Sequence, residues 1–474
     1  MSKRVGIAML LACANILGTS ALAQENAKID EEARGIFQQL IEINTTDSVG
    51  NVTTAAEAMA QRLLAAGLPE KDVLVAGPNE RKKNLVVRFR GSGEKRPVLF
   101  IGHLDVVEAR REDWTTDPFQ FVEQDGYFYG RGTEDMKEGD AILVMAFMRM
   151  KREAFTPDRD LILALTADEE GGSANGIDWL LKQHKDWIDA EYCINLDGGE
   201  FEKIKGKRVL AGMQASEKVY ADFQFEATNP GGHSSVPGAE NAIYELAAAL
   251  LRVQNFSFPV QISEITRNYF AKSAKLTSGA LSEDLRGAAK EPPDQDAVRR
   301  LSTIPYYNSL LRTTCVATML SGGHATNALP QMARANVNCR IFPGDDPEQV
   351  RKTLEKVAGD PKLKVSAVPE KTSDGKEVPI VAVPPSPLLP EVTNTFERVL
   401  QGMWPGLPVV PTMSTGASDG HYLRTAGMPT FGISCMFFDM EDQRAHGKDE
   451  RVGVKEFYDG VEFGYRFVKA LGTN

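Results

Sequence analysis

Short apolar runs alternate with helical stretches from residue 84 onward, and this alternation constrains the fold more than any other feature of the chain. Strands that are apolar on both faces are typical of a mainly parallel sheet that helices cover on both sides. The sequence therefore predicts an α/β domain with a mixed, mainly parallel sheet flanked by helices. Its predicted strands are residues 84–89, 97–101, 161–166 and 192–196, with helices at 138–150 and 177–182.

A change of pattern near residue 216 predicts a second, smaller domain. Residues 218–227 and 334–342 alternate between apolar and polar side chains, as strands with one exposed face do. Helices predicted at 241–253 and 347–357 complete an inserted α+β domain with an antiparallel sheet.

The chain then returns to the larger domain through a linker at residues 370–388, which contains Pro, Gly, Ser and Asp. A helix at 390–403, a strand at 429–437 and a helix at 454–471 are predicted after it. Residues 256–307 are mixed and polar, and we expect them to be an insertion. The predicted boundaries are 24–215 and 376–474 for the two parts of the larger domain and 216–375 for the smaller one.

The first residues have the pattern of a secretory signal peptide, 1–23. Lys3 and Arg4 precede an apolar run at 5–17, and Ala21-Leu-Ala23 forms a small-x-small cleavage site. This predicts a periplasmic or secreted protein with no stable membrane insertion. The alternatives are an uncleaved anchor, for which the run is short, and a lipoprotein site at Cys13. An oxidising compartment permits a disulfide, and the sequence leaves its pairing open.

The charge balance excludes one class of partner. Lys and Arg number 54 against 65 Asp and Glu, so the net charge is −11 and the basic surface typical of nucleic-acid binding is not expected. Five cysteines in 474 residues also exclude a disulfide scaffold or a Cys-rich zinc finger.

Polar side chains follow the predicted strands of the larger domain at the points where they end. His103 and Asp105 follow one strand, residues 168–170 follow the next with three carboxylates, and Asp197 follows a third. Each element alone is also compatible with a surface pair or a solvated loop. Together they meet at the carboxyl edge of the sheet, where such folds bind ligands. Because clustered carboxylates repel one another, the sequence predicts a pair of divalent metal ions that share a carboxylate.

Seven segments of the chain carry recognisable motifs. They are Gly102-His-Leu-Asp-Val-Val107, Trp114 with Asp117-Pro-Phe119, Gly130-Arg-Gly-Thr-Glu-Asp-Met-Lys137, Asp168-Glu-Glu-Gly-Gly172, Gly231-Gly-His-Ser-Ser235, Asn327-Ala-Leu-Pro330 and His446-Gly-Lys-Asp-Glu450. With these motifs the chain resembles the M20 family of metallopeptidases, which includes glutamate carboxypeptidase, Gly-Xaa carboxypeptidases, aminoacylase and acetylornithine and succinyl-diaminopimelate deacylases. The segments occur in the family's order, and the resemblance spans nearly the whole chain after residue 30.

The resemblance implies two zinc ions per chain, with cobalt or manganese as substitutes. His103, Asp135 and Asp197 would hold one ion. Asp135, Glu170 and His446 would hold the other, so that Asp135 bridges the two. The peptide bond after Asp135 would be cis.

Two further residues of the metal-bearing segments have implied catalytic roles. Asp105 would accept a hydrogen bond from the second ring nitrogen of His103 and fix its tautomer. Glu169 would be the general acid and base, not a ligand.

The resemblance also implies residues that contact the substrate, and it makes the smaller domain a lid that pairs two chains in a homodimer. His233 would stabilise the tetrahedral oxyanion, and Arg340 with Asn327 would bind the substrate's carboxylate. Gly416 lies in a loop that resembles the family's substrate-side glycine loop. For Arg340 the alternative is a surface ion pair with Asp345.

The predicted function is hydrolysis of amide bonds in short peptides or N-acyl amino acids, of the carboxypeptidase or dipeptidase type. The family often has Glu at the position of Asp197, and Asp there favours dipeptidases and aminopeptidases. A dedicated N-acyl amino acid deacylase is an alternative, although a signal peptide suits scavenging better than cytoplasmic biosynthesis. A binding protein on an inactive peptidase fold is disfavoured because every ligand and Glu169 are present. A structural metal site is disfavoured because such sites are usually closed by Cys or His.

We expect the mature protein to begin at or near Gln24, because the small-x-small site ends at Ala23. Mass spectrometry of protein recovered from outside the cytoplasm would test this cleavage. Recovery of a chain with an intact Met1 would contradict it.

Overall fold

The computed structural model describes residues 24–473, so the predicted signal peptide lies outside the described residues. None of the helices in this part of the chain combines the length and the apolar character needed to cross a membrane. The elements up to residue 217 are α1 (24–42), α2 (Val52–Ala65), β1 (Val73–Ala76), β2 (Asn84–Phe89), β3 (Val98–His103), β4 (Val122–Gln124), β5 (Tyr127–Tyr129), α3 (Lys137–Arg152), β6 (Leu161–Thr166), α4 (Gly176–Gln183), α5 (Lys185–Ile188), β7 (Tyr192–Asn195), β8 (Phe201–Ile204) and β9 (Lys207–Glu217).

The rest of the chain forms a separate small sheet, a group of helices and the closing elements of the large sheet. These are β10 (Val219–Thr228), β11 (Gly232–His233), α6 (Ala242–Gln254), α7 (Glu264–Leu276), α8 (Gly279–Ala288), α9 (Gln295–Leu301), α10 (Pro305–Leu311), β12 (Thr314–Gly322), β13 (Ala328–Leu329), β14 (Met332–Ile341), α11 (Pro347–Ala358), β15 (Lys364–Ala367), β16 (Glu370–Lys371), β17 (Glu377–Val378), α12 (Pro390–Met403), β18 (Val409–Ser414), α13 (Gly420–Thr425), β19 (Thr430–Gly432), β20 (Phe437–Asp439), β21 (Arg451–Gly453) and α14 (Val454–Leu471).

The large sheet has ten strands in the order β1-β2-β6-β3-β7-β19-β9-β8-β20, and β18 also pairs with β9. Its middle is parallel, because β3 lies between β6 and β7 and runs parallel to both. Every residue of β3 and of β6 is buried, as expected for strands that are apolar on both faces. The mixed α/β sheet flanked by helices is therefore confirmed.

Helices cover the large sheet and complete its core. Nearly every residue of α3 is buried, and its apolar side chains pack against α14. The aromatic ring of Phe201 on β8 contacts Phe396 of α12 and Phe463 of α14, and all three side chains are fully buried. These contacts fix the sheet whose carboxyl edge carries the candidate site.

The smaller sheet is antiparallel, with the order β12-β14-β10-β15. Burial alternates along β10 and β14, and the buried faces join α6 and α11 in an apolar cluster of their own. The inserted α+β domain is thus confirmed as part of the fold class. Cys315 and Cys339 face each other on β12 and β14 and form a disulfide, whereas Cys193 and Cys435 are free and buried.

The polar segment that we expected to be an insertion folds into the helices α7 to α10. These helices pack on the large sheet: α7 contacts β18 and β9, and Nζ of Lys272 donates a hydrogen bond of 2.8 Å to the carbonyl oxygen of Val409. Buried side chains such as Phe270 and Leu285 join the core of the larger domain. The insertion therefore belongs structurally to the large sheet, although it lies between strands of the small one.

The predicted strand at 429–437 is wrong in its extent, because the chain breaks between β19 and β20. β19 pairs with β7, whereas β20 pairs with β8 on the far side of β9. Cys435 has a φ of 64°, a left-handed conformation that lies outside the range of regular β-strands. The apolar composition predicted a single buried strand, but the chain pairs with one strand before Cys435 and with a different strand after it.

Candidate metal centre

The loops that follow the parallel strands bring the predicted ligands together. His103 is the last residue of β3, Glu170 lies in the loop after β6, and Asp197 lies just beyond β7. Asp135 lies two residues before the start of α3, and His446 lies in the loop between β20 and β21. The arrangement follows from topology, because the carboxyl ends of neighbouring parallel strands open onto one crevice.

Two groups of side chains in this crevice have the geometry of metal sites. The ligand atoms of His103, Asp135 and Asp197 lie within 4.8 Å of one another, and so do those of Asp135, Glu170 and His446. Asp135 belongs to both groups: its Oδ1 lies 3.2 Å from Nε2 of His103, and its Oδ2 lies 3.0 Å from Nε2 of His446. One carboxylate therefore faces both sites, as a bridging ligand must. The peptide bond between Asp135 and Met136 is cis, as expected.

Asp105 contacts His103 through a different atom from the one expected. Nδ1 of His103 lies 3.1 Å from the main-chain oxygen of Asp105 and 3.8 Å from its carboxylate. The carboxylate oxygens instead accept hydrogen bonds from the backbone N–H groups of Glu169 and Glu170, at 3.2 and 3.0 Å. Asp105 thus positions the two adjacent carboxylates as well as the imidazole.

The electrostatics of the crevice reflect its crowded carboxylates. Burial and the charge of Asp197 raise the pKa of Glu169, and burial and the charge of Asp135 raise the pKa of Asp197. Burial alone would raise the pKa of Asp135 too, but hydrogen bonding to His103 and His446 outweighs it and lowers that pKa. A divalent cation would relieve this repulsion.

A buried ion pair that sequence reasoning missed connects the two halves of the centre. Glu450 is fully buried and pairs with Arg131, and its Oε1 accepts hydrogen bonds from the backbone N–H groups of Glu134 and Asp135, at 2.7 and 3.2 Å. Arg131 also donates to the main-chain oxygen of His446. Both residues lie inside matching motifs, which was the available signal, but their pairing depends on the fold.

Asp419 is a second residue near the centre that sequence reasoning missed. It is buried and accepts hydrogen bonds from Oγ1 of Thr166 and Nδ2 of Asn175, at 2.9 and 2.7 Å. Its charge acts on both Glu169 and Asp197. Gly416, predicted on the substrate side, lies on the same loop, where its N–H donates to Oγ of Ser414.

The residues of the smaller domain that were predicted to contact the substrate form two separate groups. β11 pairs with β13, which brings His233 beside Ala328, and the N–H of Ser234 donates to the main-chain oxygen of Asn327. His233 is exposed, and Oγ of Ser235 lies 2.7 Å from its Nδ1. The metal-site groups of the described chain do not include it.

Arg340 lies on β14, and its guanidinium carbon stacks 4.7 Å from the ring centre of Tyr220. The alternative ion pair with Asp345 does not form, because the carboxylate of Asp345 accepts hydrogen bonds from Gln261 and Thr313. Among the described residues, the guanidinium of Arg340 forms no ion pair with a carboxylate, although the charge of Asp222 acts on it.

Residues 99–470 match the profile of the peptidase family M20/M25/M40. The chain belongs to this family. Membership makes it an enzyme of the metallopeptidase and amidohydrolase type, and the family includes dinuclear metal-binding peptidases. The resemblance inferred from the motifs is confirmed.

Two curated relatives and one solved structure illustrate the range of the family. "Probable carboxypeptidase S-like 2" of Dictyostelium discoideum is 28% identical over 401 residues, which cover 81% of this chain and 74% of that one. Human "N-fatty-acyl-amino acid synthase/hydrolase PM20D1" is 25% identical over 400 residues, covering 80% and 75%. A metallo-carboxypeptidase of Sulfolobus solfataricus shares the fold, with a TM-score of 0.68 and 16% identity over 93% of this chain and 99% of its own.

We expect Asp135→Asn to lower the content of both metal ions, because this carboxylate belongs to both ligand groups. Glu170→Gln should weaken only the group that it shares with His446, leaving about one ion per chain. Elemental analysis of the purified, dialysed proteins measures this difference. Glu112→Gln, at an exposed position outside the centre, is the control. Equal loss of metal in the Asp135 and Glu170 variants would contradict a bridging role.

Proposed function

We propose that the protein is a zinc-dependent hydrolase that cleaves amide bonds of short peptides or N-acyl amino acids in the periplasm or outside the cell. The observation that carries the proposal is the position of Asp135 between two complete ligand groups. Two ions that share a carboxylate form a hydrolytic centre.

The donor set fits zinc. Each group offers one imidazole nitrogen and two carboxylates, and three protein ligands leave a position open for water or substrate. Mixed imidazole and carboxylate donors are also compatible with cobalt or manganese. When bound, such a pair of ions makes water a stronger nucleophile at neutral pH and polarises the amide carbonyl.

Glu169 is proposed to move the proton. Its carboxylate takes a proton from the attacking water and returns it to the nitrogen of the leaving amine. The hydrogen bond from its N–H to Asp105 fixes its backbone beside the ligand Glu170. The side chain is absent from both metal-ligand groups, which leaves it free for proton transfer.

The lid is proposed to bind the substrate. Arg340 presents a planar fork that can hold a carboxylate by two parallel hydrogen bonds, and Asn327 assists it. His233 donates to the oxyanion of the tetrahedral intermediate once the lid closes. Gly416 lies on the loop that also carries Asp419, next to the centre.

Secretion is supported by an independent observation. The disulfide between Cys315 and Cys339 joins opposed residues of β12 and β14. Disulfides persist in oxidising compartments and are rare in the cytosol.

The small sheet is proposed to pair two chains. β12 is an edge strand, and its side chains Val316, Met319 and Leu320 are 61%, 71% and 72% exposed. Tyr244 and Leu251 on α6 are also exposed. An unpaired edge with apolar side chains is a surface that natural proteins usually cover.

We expect Glu169→Gln to keep both metal ions and to lose about 10²- to 10⁴-fold in turnover, because one residue supplies both proton transfers. Steady-state kinetics on dipeptides, combined with elemental analysis, measures both quantities. If Glu169→Gln lost metal while Glu170→Gln retained it, the roles of these neighbours would be reversed.

Substrates with a free C-terminal carboxylate should be preferred over their amides. Arg340→Ala should erase this preference, lowering kcat/KM for the free acid by about 10- to 100-fold through weaker binding. Arg340→Lys should restore it poorly, since an ammonium group lacks the fork. Arg334→Ala, on the same face of β14, is the matched control. Equal hydrolysis of a dipeptide and its amide by the unmodified enzyme would argue for an aminopeptidase instead.

Sedimentation should show a dimer that Leu320→Asp dissociates, because a charge on β12 would be buried in the interface. Leu276→Asp, on α7 and away from this edge, is the control. A monomer with full activity would contradict the proposed dimer.

His233→Ala should lower turnover by about 10²- to 10³-fold with metal content unchanged, because the variant lacks the proposed oxyanion donor. Normal turnover of this variant would contradict that role of His233.

A further inference from the structure

A cavity of about 410 Å³ adjoins the metal centre and includes the ligands Asp135 and Asp197 in its wall. Its other walls come from the start of α3, the loop after β7 and the loops on either side of β20. This volume is in the range of small-molecule binding pockets. A substrate whose scissile bond lies at the metal centre would therefore extend one of its groups into the cavity.

Three carboxylates that belong to neither metal-ligand group line this cavity: Glu134, Glu138 and Glu200. Glu138 is only 2% exposed, and its Oε2 has no hydrogen-bond partner in the described part of the chain. An unpartnered, buried carboxylate oxygen is unfavourable unless a donor or cation comes to it. None of the residues described along the cavity wall is a Lys, an Arg or a His that could supply the charge.

We propose that this cavity is a specificity pocket for an organic cation, an ammonium or guanidinium group of the substrate. The carboxylates of Glu138 and Glu200 would hold the charge, and Met136, Leu196 and Phe438 would contact an aliphatic stem. Lysine and arginine side chains have this division between an apolar stem and a charged end. The inference rests on the proposed function and names its substrate class: substrates with an organic cation close to the scissile bond rather than long fatty-acyl amides.

The charge balance supports this choice. Two divalent ions would carry four positive charges against the three negative charges of the ligand carboxylates Asp135, Glu170 and Asp197, and no cationic side chain among the residues described along the cavity wall faces Glu134, Glu138 and Glu200. A fatty-acyl chain would leave Oε2 of Glu138 buried without a partner, whereas a cation would pair with it.

The cation can come from a basic side chain or from the free α-amine of a peptide, and paired substrates distinguish the two sources. We would measure kcat/KM of the purified, metal-loaded protein for lysyl and norleucyl dipeptides and for their N-acetyl derivatives. A side-chain cation predicts that the lysyl substrate is preferred by about tenfold or more in both the free and the acetylated pair. An α-amine predicts equal rates for lysine and norleucine, and a loss of about tenfold or more on acetylation.

Two isosteric variants assign the preference to the cavity. Glu138→Gln and Glu200→Gln should each reduce the discrimination for the cation by about tenfold, with metal content unchanged. Glu200 is exposed to the cavity, so its variant keeps the test decisive if the buried Glu138 variant fails to fold. Glu397→Gln, on the exposed face of α12, is the control and should leave the discrimination unchanged.

Titration calorimetry of the binding of free L-lysine, its amide and L-norleucine tests the cation pocket separately from the proposed hydrolase activity. If all substrates were hydrolysed at rates that depend on neither cation, the cation pocket would be contradicted while the hydrolase proposal would stand. Unchanged discrimination in both glutamate variants would have the same meaning. Tighter binding of lysine that both variants weaken, without hydrolysis of any amide, would support the pocket and overturn the hydrolase. An equal response of the Glu397 variant would overturn the assignment to this cavity.

Discussion

The ion pair between Arg131 and Glu450 is the contact on which the rest of the centre depends. Glu450 accepts backbone hydrogen bonds from the segment that carries Asp135, and Arg131 donates to the main chain at His446, whose φ is 62°. A buried ion pair is stable only when its remaining donors and acceptors are bonded, and here backbone groups provide most of those bonds. The pair therefore joins two loops from distant parts of the sequence into one frame around Asp135, the carboxylate that both candidate ligand groups share.

The carboxylates of the centre lie close together, and neighbouring residues hold them in place. Asp105 uses its carboxylate to hold the backbone of Glu169 and Glu170, so a ligand and the proposed proton carrier keep fixed positions side by side. Asp419 adds a further buried charge. Metal ions can compensate the ligands, but the carboxylates along the adjoining cavity lie beyond both ligand groups. This surplus charge is the physical basis for expecting a cationic substrate group.

In the proposed function, the larger domain carries out the chemistry and the smaller domain recognises the substrate. The large sheet holds the metal groups rigidly, because its strands are buried on both faces and covered by α3 and α14. The small sheet has a polar face with Arg340 and an exposed edge at β12, and its proposed roles in substrate binding and dimerisation rest on these two features. The helices α7 to α10 pack on the large sheet instead, although they lie between strands of the small sheet in the sequence.

The sequence by itself determined the parallel middle of the sheet and the residues that gather at its edge. Both follow from local patterns, since apolar runs predict buried strands and the residues after parallel strands meet at one edge. Only the tertiary structure decided the rest. The break at Cys435, the packing of the polar insertion on β18, the pairing of Arg131 with Glu450 and the acidic cavity all join segments that are far apart in the chain. Such contacts leave no periodic trace in the sequence, because they depend on which surfaces the folded domains bring together.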